Sequence, residues 1–150
     1  MVELNCLEHK VIVHMARPDN LPQIFHLVDS YSDSLTINKN KAKNALRELV
    51  YINGVLLFKF DKEVIGGIAG FVTPSMFTDD TLFNVLFFYV KKDFRHLTKE
   101  IIKEFELVLL PTSVNKIIFG VLGNESYEKQ KRFMRMMGYK ELETHMVKGT

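Results

Sequence analysis

Two groups of residues in the 150-residue sequence have types and spacing that could serve chemistry. Gly66, Gly67 and Gly70 interrupt an apolar run, and glycines inside a strand indicate either a β-bulge or a ligand that closely approaches the backbone. Asp79 and Asp80 form an acidic pair whose carboxylates could accept protons, although the same residues also form turns. We favour a turn for the acidic pair, and both interpretations of the glycines stay open.

The basic and histidine residues give weaker indications of function. The net charge of +2 is too small to indicate nucleic-acid binding. The densest basic cluster, residues 129–135, is more typical of a solvated helix face than of a polyanion site. His14 and His145 lie on predicted strands at the two ends of the chain, where we expect packed or surface side chains. The sequence contains no P-loop, dinucleotide glycine motif, His-Glu-x-x-His or nucleophile elbow.

The composition is that of a soluble globular domain. Hydrophobic residues make up 47% of the sequence, which is enough to fill the core of one domain over residues 1–150. The single cysteine, Cys6, excludes an intramolecular disulfide and a cysteine-based metal cluster, and we predict no metal site. No apolar run reaches the roughly 18 residues of a membrane span, and residues 1–10 lack the order of a signal peptide. We therefore expect a cytoplasmic protein.

Short apolar runs alternate with helically spaced ones along the chain. Two apolar arms, residues 55–60 and 63–72, flank Asp61-Lys62 and predict an antiparallel hairpin. Before the hairpin, the patterns predict a strand at 10–17, a first helix that ends at about Ser30, and a second helix over Lys39–Tyr51. After it, they predict a loop at 73–81, a strand at 82–90, a helix at 95–110, a strand at 116–122, a helix at 127–137 and a strand at 141–148.

The element order is therefore β-α-α-β-β-β-α-β-α-β, an α/β fold with a mixed α+β sheet. The hairpin region is antiparallel, whereas the strand–helix–strand unit over residues 82–122 predicts a right-handed parallel crossover. Each helix needs an apolar surface to cover, so we expect the helices to lie on the faces of one mixed sheet.

This element order resembles that of the GNAT acyl-CoA N-acyltransferases over nearly the whole chain. Residues 58–70 look like the family's hairpin, where a short turn leads into an Ile-Gly step. Residues 88–95 look like the end of its fourth strand and the first residue of its Arg/Gln-x-x-Gly-x-Gly/Ala signature. Residues 137–139, Met-Gly-Tyr, look like the Leu-Gly-Phe that closes its last long helix. The compact length and residues 143–148 also resemble small, phage-type members.

The resemblance implies a binding site for acetyl-CoA where the fourth and fifth strands part. In the family, the backbone groups left there pair with pantetheine, and a fourth-strand N–H polarises the thioester carbonyl. The start of the next helix binds the pyrophosphate, where Arg95 and Lys99 would add positive charge. The cofactor-binding residues implied in this sequence are Phe88, Tyr89, Val90, Arg95, His96, Leu97, Thr98 and Lys99.

Two positions of the phosphate-binding signature depart from the family pattern. Counted from Arg95, the small positions hold Thr98 and Glu100. The Thr98 hydroxyl could donate to a phosphate, whereas Glu100 brings a negative charge close to the anion. Both changes should weaken CoA binding.

The positions that move protons in the family also differ. Met134 stands where many members carry the tyrosine that reprotonates the leaving thiolate, so Tyr127, about two turns earlier, becomes the candidate acid. Packing at a helix start is the simpler explanation of Tyr127. The fourth strand reads Asn-Val-Leu at residues 84–86, without the glutamate common in related sequences. Asp80, just before that strand, is then the candidate base.

The predicted function is acetyl-CoA-dependent N-acetylation of an amine on a protein or small molecule, by direct transfer. Orientation and carbonyl polarisation do much of this work, so the altered positions do not exclude activity. The alternative is a catalytically weakened GNAT-like protein that acts as a protein-binding module or inhibitor, with residues 134–137 as adaptable Met-rich surface. Family analogy predicts a homodimer, whereas we expect neither a membrane nor a nucleic-acid partner.

Overall fold

The computed structural model describes residues 10–31, 38–110, 114–120, 127–142, 146 and 148–149. Contacts between residues divide the chain into two units, Met1–Phe119 and Gly120–Thr150. The assignment of residues 1–150 to one domain stays a prediction. Within the described ranges, no helix has the length and apolar character that crossing a bilayer requires.

The first unit begins with one strand and two helices. These elements are β1 (Val11–Met15), a 3₁₀ turn (Pro18–Asn20), α1 (Leu21–Ser30) and α2 (Lys39–Tyr51). The Asn38 side chain accepts a hydrogen bond from the Lys41 N–H and so caps the start of α2. Apolar residues at helical spacing bury one face of each helix, namely Ile24, Leu27 and Val28 on α1 and Leu46 and Val50 on α2. Both predicted helices are confirmed.

The described strands of the first unit form one mixed sheet. After β1 come β2 (Val55–Phe60), β3 (Glu63–Pro74), β4 (Thr81–Val90) and β5 (Lys116–Ile118). The strand order is β1-β2-β3-β4-β5, and neighbours are antiparallel except for β4 and β5, which are parallel. Asp61 and Lys62 have φ angles of 50° and 70° and form the two-residue turn between β2 and β3. The predicted α/β class, hairpin and parallel crossover are therefore confirmed.

Helices cover the two faces of this sheet. On one face, α1 and α2 bury a core against residues of β2, β3 and β4 that include Leu57, Ala69 and Tyr89. On the other face lies α3 (Thr98–Leu109), whose Phe105 ring contacts those of Phe58 and Phe88. Full burial of an aromatic or aliphatic side chain of this kind contributes about 1.5–3 kcal/mol, so both layers stabilise β4.

The region after β4 differs from the prediction in its element bounds. A 3₁₀ helix over Lys92–Leu97 precedes α3, so the α-helical part begins three residues later than the predicted start at Arg95. β5 ends at Ile118, and the rest of the predicted strand includes residues 121 and 122, which lie outside the described ranges. The apolar run over residues 82–90 predicts a strand buried on both faces, but the Leu86 side chain of β4 is 62% exposed. Leu86 is the extra residue of a β-bulge in β4, and an apolar run in the sequence does not indicate where a bulge lies.

The second unit contains one described helix, α4 (Tyr127–Met136). Gly138 has a φ of 93°, and its N–H donates to the Arg135 carbonyl, which ends the helix as predicted. The predicted final strand, residues 141–148, falls partly on residues outside the described ranges. Its described residues, 141, 142, 146 and 148, lie in no strand.

Candidate active site

A β-bulge in β4 sets which of its side chains share a face. Ala69 of β3 pairs with Phe87, but the next residue, Gly70, pairs with Val85, so Leu86 is the extra residue. In an uninterrupted strand, residues 84 and 87 would point to opposite faces. The bulge brings Asn84 onto the same face as Phe87, which is the face that α1 and α2 cover.

The glycines of β3 are explained by the close approach of β4. A Cβ atom at Gly66 would overlap the carbonyl oxygen of Tyr89, and one at Gly70 would overlap that of Asn84. β3 also carries a bulge at Ile65, because Phe58 pairs with Gly66 whereas Lys59 pairs with Val64. The glycines therefore serve both a bulge and a close approach, but the group that approaches is backbone.

Strands β4 and β5 pair over only a short distance. The register joins Leu82 to Lys116, Phe83 to Ile117 and Asn84 to Ile118. β4 then continues to Val90, and the described residues provide no further strand partner on that edge. Among the described residues, β4 therefore has an unpaired edge at the place where the two parallel strands were expected to part.

The peptide groups at the end of β4 have known directions. The Lys91 N–H donates to the Ile65 carbonyl at 2.8 Å, so the Val90 carbonyl of the same trans peptide points away from β3. The Tyr89 carbonyl lies against Gly66, so the Val90 N–H also points away from β3. Alternation along the strand directs the Phe88 N–H to the same edge. The Val90 carbonyl accepts a hydrogen bond from Arg95 Nε at 3.2 Å, which places a guanidinium at this edge.

The predicted phosphate-binding residues lie on a continuous run of 3₁₀ and α-helix. Both the N–H and the hydroxyl of Thr98 donate to the Arg95 carbonyl, the hydroxyl at 2.7 Å. The Thr98 hydroxyl is thus engaged within the chain. His96, Lys99 and Glu100 are exposed, whereas Leu97 is half-buried. The roles of these residues in binding a cofactor stay predictions.

The predicted base, Asp80, braces the β3–β4 loop against β5. Its carboxylate forms an ion pair with Lys116 at 2.7 Å and accepts hydrogen bonds from Thr78 Oγ1 at 2.9 Å and Asn115 Nδ2 at 3.1 Å. The hydrogen bond from Lys116, followed by that from Thr78, lowers the pKa of Asp80 below its ordinary value of 3.8. A lower pKa makes a carboxylate a poorer proton acceptor, so these contacts favour the turn-forming role.

The predicted acid, Tyr127, is the first residue of α4 in the second unit. The Lys131 ammonium lies 4.9 Å from the centroid of its ring. The hydrogen bond with Tyr127, and then that with Glu141, raises the pKa of Lys131. These contacts give Tyr127 a structural role at the helix start, and its role as an acid stays a prediction.

Sequence reasoning missed a cluster on the α1 side of β4, which we term the aromatic–amide wall: Tyr31, Thr73, Asn84, Phe87 and Tyr89. The Tyr31 ring lies 5.3 Å from that of Tyr89 and 5.7 Å from that of Phe87. Tyr89 Oη donates to the Ser30 carbonyl at 2.9 Å, and Asn84 Nδ2 donates to Thr73 Oγ1 at 2.9 Å. The sequence shows the aromatic residues at positions 87 and 89, but it does not indicate the bulge that places Asn84 on the same face of β4.

Comparison with known proteins identifies the fold. No protein-family model and no curated protein sequence matches the chain. Among solved structures, a GNAT family acetyltransferase from Staphylococcus aureus aligns with a TM-score of 0.70 at 16% identity, over 94% of this chain and 99% of that one. The chain therefore has the GNAT acetyltransferase fold, as the sequence predicted.

Two further structures with this fold hold relevant ligands. AAC(6')-Iy in complex with the bisubstrate analogue CoA-S-monomethyl-acetylneamine aligns with a TM-score of 0.71 at 11% identity, over 93% of this chain and 97% of that one. An aminoglycoside acetyltransferase from an uncultured soil metagenomic sample, in complex with sisomicin, aligns with a TM-score of 0.68 at 13% identity, over 93% and 96%. At such identities the similarity is one of fold, and the ligands are those of the other proteins.

Proposed function

We propose that the protein is an N-acetyltransferase that moves an acetyl group from acetyl-CoA to an amine. The observation that carries the proposal is the edge of β4 beyond Asn84, where the N–H groups of Phe88 and Val90 point away from β3. The same fold occurs in acetyltransferases, one of them solved with a CoA bisubstrate analogue. Because acetyl-CoA is an intracellular metabolite, we place the activity in the cytoplasm.

The residues at this edge suit the chemistry of pantetheine and its phosphates. Pantetheine carries amide groups, which can pair with the outward-facing N–H and carbonyl groups of Phe88 and Val90 as an added strand would. Arg95 stands at the same edge with its Nε on the Val90 carbonyl, and its remaining guanidinium N–H groups are suited to a phosphate. Exposed Lys99, one turn further on, adds a second positive charge.

When bound, acetyl-CoA supplies an acetyl thioester, and transfer forms an amide on the acceptor and frees the CoA thiol. The chain's contribution is to place a backbone N–H of Phe88 or Val90 where the thioester carbonyl can accept from it. A fixed donor at a position where negative charge develops costs no reorganisation during the reaction. The amine loses one proton and the thiolate gains one, and Asp80 and Tyr127 are the predicted groups for these transfers.

Calorimetry with acetyl-CoA, combined with an assay for released CoA thiol, tests the proposal. We expect binding at micromolar concentration and release of the thiol in the presence of a suitable amine. The matched variant is Val90→Pro, which removes the outward-facing N–H. Met15→Pro on edge strand β1 is the control, because the Ala16 N–H donates to β2 and the Met15 N–H therefore points away from it. Absence of binding at millimolar acetyl-CoA by a folded wild-type protein would contradict the proposal. Binding without turnover on a broad amine panel would favour a protein-binding module.

A further inference from the structure

The aromatic–amide wall presents π faces and a fixed carboxamide on one face of the sheet. Rings of Tyr31, Phe87 and Tyr89 lie with centroids 5.3–6.5 Å apart in tilted or edge-on arrangements. Asn84 uses its Nδ2 to donate to Thr73, which leaves its Oδ1 to accept a hydrogen bond. Aromatic faces attract a cation and also pack against apolar groups, whereas the amide oxygen accepts N–H without adding a charge.

The wall lies directly beside the β4 edge proposed to hold the thioester. Phe87 and Tyr89 alternate along the strand with Phe88 and Val90, whose N–H groups point to that edge. The side chains of the wall residues Thr73, Asn84 and Phe87 are not fully covered and stay partly exposed. Phe87 is one strand residue from Phe88, and Asn84 lies four residues before Phe88 along β4. An amine held between these two side chains would therefore lie on the N-terminal side of the proposed reacting carbonyl.

Two lysines of α2 contact Asp29, which stands two residues before Tyr31 of the wall. α2 carries four cationic side chains, Lys39, Lys41, Lys43 and Arg47, and one carboxylate, Glu48. Lys43 forms an ion pair with Asp29 at 2.9 Å, and Lys39 Nζ donates to the Asp29 carbonyl at 3.3 Å, two residues before Tyr31. The carboxylate closest in sequence to Tyr31 among the described residues is thus already neutralised. Lys39 and Lys43 together leave a net positive charge beside Asp29, and this charge would repel a ligand that carries several positive charges.

We infer that the acceptor is an amine with a single positive charge on an apolar or aromatic body, held by the aromatic–amide wall. A polycation such as an aminoglycoside does not fit this charge pattern. The inference rests on the proposed acetyl transfer, since it names the acceptor class of that same site. It makes Phe87 the apolar contact and Asn84 the acceptor of an N–H from the substrate.

Two amines that differ in their number of positive charges test the substrate class. We compare 2-phenylethylamine, a monocation with an aromatic body, with sisomicin, and measure the rate of CoA thiol release at saturating acetyl-CoA. The kcat/KM for 2-phenylethylamine should exceed that for sisomicin by at least about tenfold, which corresponds to about 1.4 kcal/mol. An equal or higher kcat/KM for sisomicin overturns the inference.

Substitutions in the wall test the assigned contacts. Phe87→Leu should raise the KM for 2-phenylethylamine about fivefold with little change in kcat, because the lost π face contributes about 0.5–1 kcal/mol to holding a cation at an exposed site. Phe60→Leu, a half-buried aromatic on β2 outside the wall, is the matched control and should leave that KM unchanged. Asn84→Asp should lower the KM for sisomicin more than that for 2-phenylethylamine, since the added charge favours the polycation. Unchanged KM values in both wall variants contradict the assignment.

Failure of the acetyl transfer and failure of the acceptor class give different results. If acetyl-CoA neither binds nor releases its thiol with any amine, the proposed function fails. In that case, calorimetry of 2-phenylethylamine alone decides the acceptor class. Binding that is weakened by Phe87→Leu but not by Phe60→Leu supports the wall, and binding that neither variant weakens rejects it. Thiol release with sisomicin alone leaves the function standing and rejects the acceptor class.

Discussion

The two edges of β4 differ in how far they are paired. On the edge toward β3, nine register pairs run from Gly66–Val90 to Pro74–Thr81, interrupted by the single bulge at Leu86. On the edge toward β5, three pairs end at Asn84–Ile118. The same ten residues of β4 are therefore fixed along one edge and unpaired by any described strand along most of the other.

This difference separates the part of the sequence that forms the fold from the part available to a ligand. Gly66 and Gly70 allow the β3 backbone to lie against β4 carbonyl groups, which fixes the register on that edge. On the opposite edge, the contacts of Asp80 with Asn115 and Lys116 tie the start of β4 to β5, and the pairing among the described residues ends at Asn84. An unpaired edge exposes N–H and carbonyl groups that bind an added strand or an amide-bearing ligand.

The largest expected effect comes from disrupting the β3 edge. Gly70→Val should destabilise the fold by about 3 kcal/mol or more, because the added side chain overlaps the Asn84 carbonyl and backbone on both strands must shift. Urea denaturation followed by circular dichroism measures the loss. Gly120→Ala is the control, since a Cβ there meets nothing within 4 Å, and it should change stability by less than about 0.5 kcal/mol. Equal midpoints for the two variants would show that the glycine contact does not fix the register.

Hydrogen exchange compares the two edges directly. The amides of Tyr89 and Lys91 face β3, whereas those of Phe88 and Val90 face the other edge. The outward amides should exchange at least about a hundredfold faster, because their exchange does not require β3 and β4 to separate. Addition of acetyl-CoA should slow the exchange of Phe88 and Val90 selectively. Uniform slow exchange of all four amides would mean that the outer edge is already covered.

Removing the guanidinium at the unpaired edge should weaken cofactor binding. Arg95→Ala should raise the Kd for acetyl-CoA about tenfold, because a charge-assisted hydrogen bond to a phosphate contributes about 1.5–3 kcal/mol before compensation. Isothermal calorimetry gives the Kd. Lys103→Ala removes an exposed charge from α3 and should change the Kd less than twofold (about 0.4 kcal/mol). If both variants bind equally well, Arg95 does not contact the phosphates.

The smallest expected effect concerns the ion pair that begins the β4–β5 pairing. The pKa of Asp80 is lowered in the folded state, so its contribution to stability is fully present above its ordinary pKa of 3.8 and is lost as pH falls through the lowered value. Asp80→Asn should therefore lower the urea midpoint slightly at neutral pH, and the difference from wild type should vanish in strong acid. Asp79→Asn, at the neighbouring exposed carboxylate, is the control.

The same variant decides the chemical role of Asp80. If the carboxylate only braces the loop, kcat for the best amine should stay within about twofold of wild type. A base is worth 10²–10⁴-fold in rate, so a drop of about a hundredfold or more in a folded Asp80→Asn protein would assign it proton transfer.

Much of the fold could be predicted because its signals are local. The helical spacing of Ala42, Leu46 and Leu49 predicted α2, and Asp61-Lys62 gave the position of the hairpin turn. Such patterns depend on residues within one or two turns, which the sequence displays directly. The 3₁₀ start before α3 was missed, because the Thr98 and Arg95 bonds that shape it involve backbone geometry rather than apolar spacing.

The sequence by itself determined the helices, the hairpin and the order of elements along the chain as far as α4, and with them the fold class. Tertiary structure decided where β4 bulges, how far it pairs with β5, and that Asn84 shares a face with Phe87. The physical reason is that strand register depends on partners distant in the chain, and a shift of one residue exchanges the two faces. The sequence indicated a bulge or a close approach at the glycines of β3, but only the folded sheet shows which carbonyl groups they accommodate.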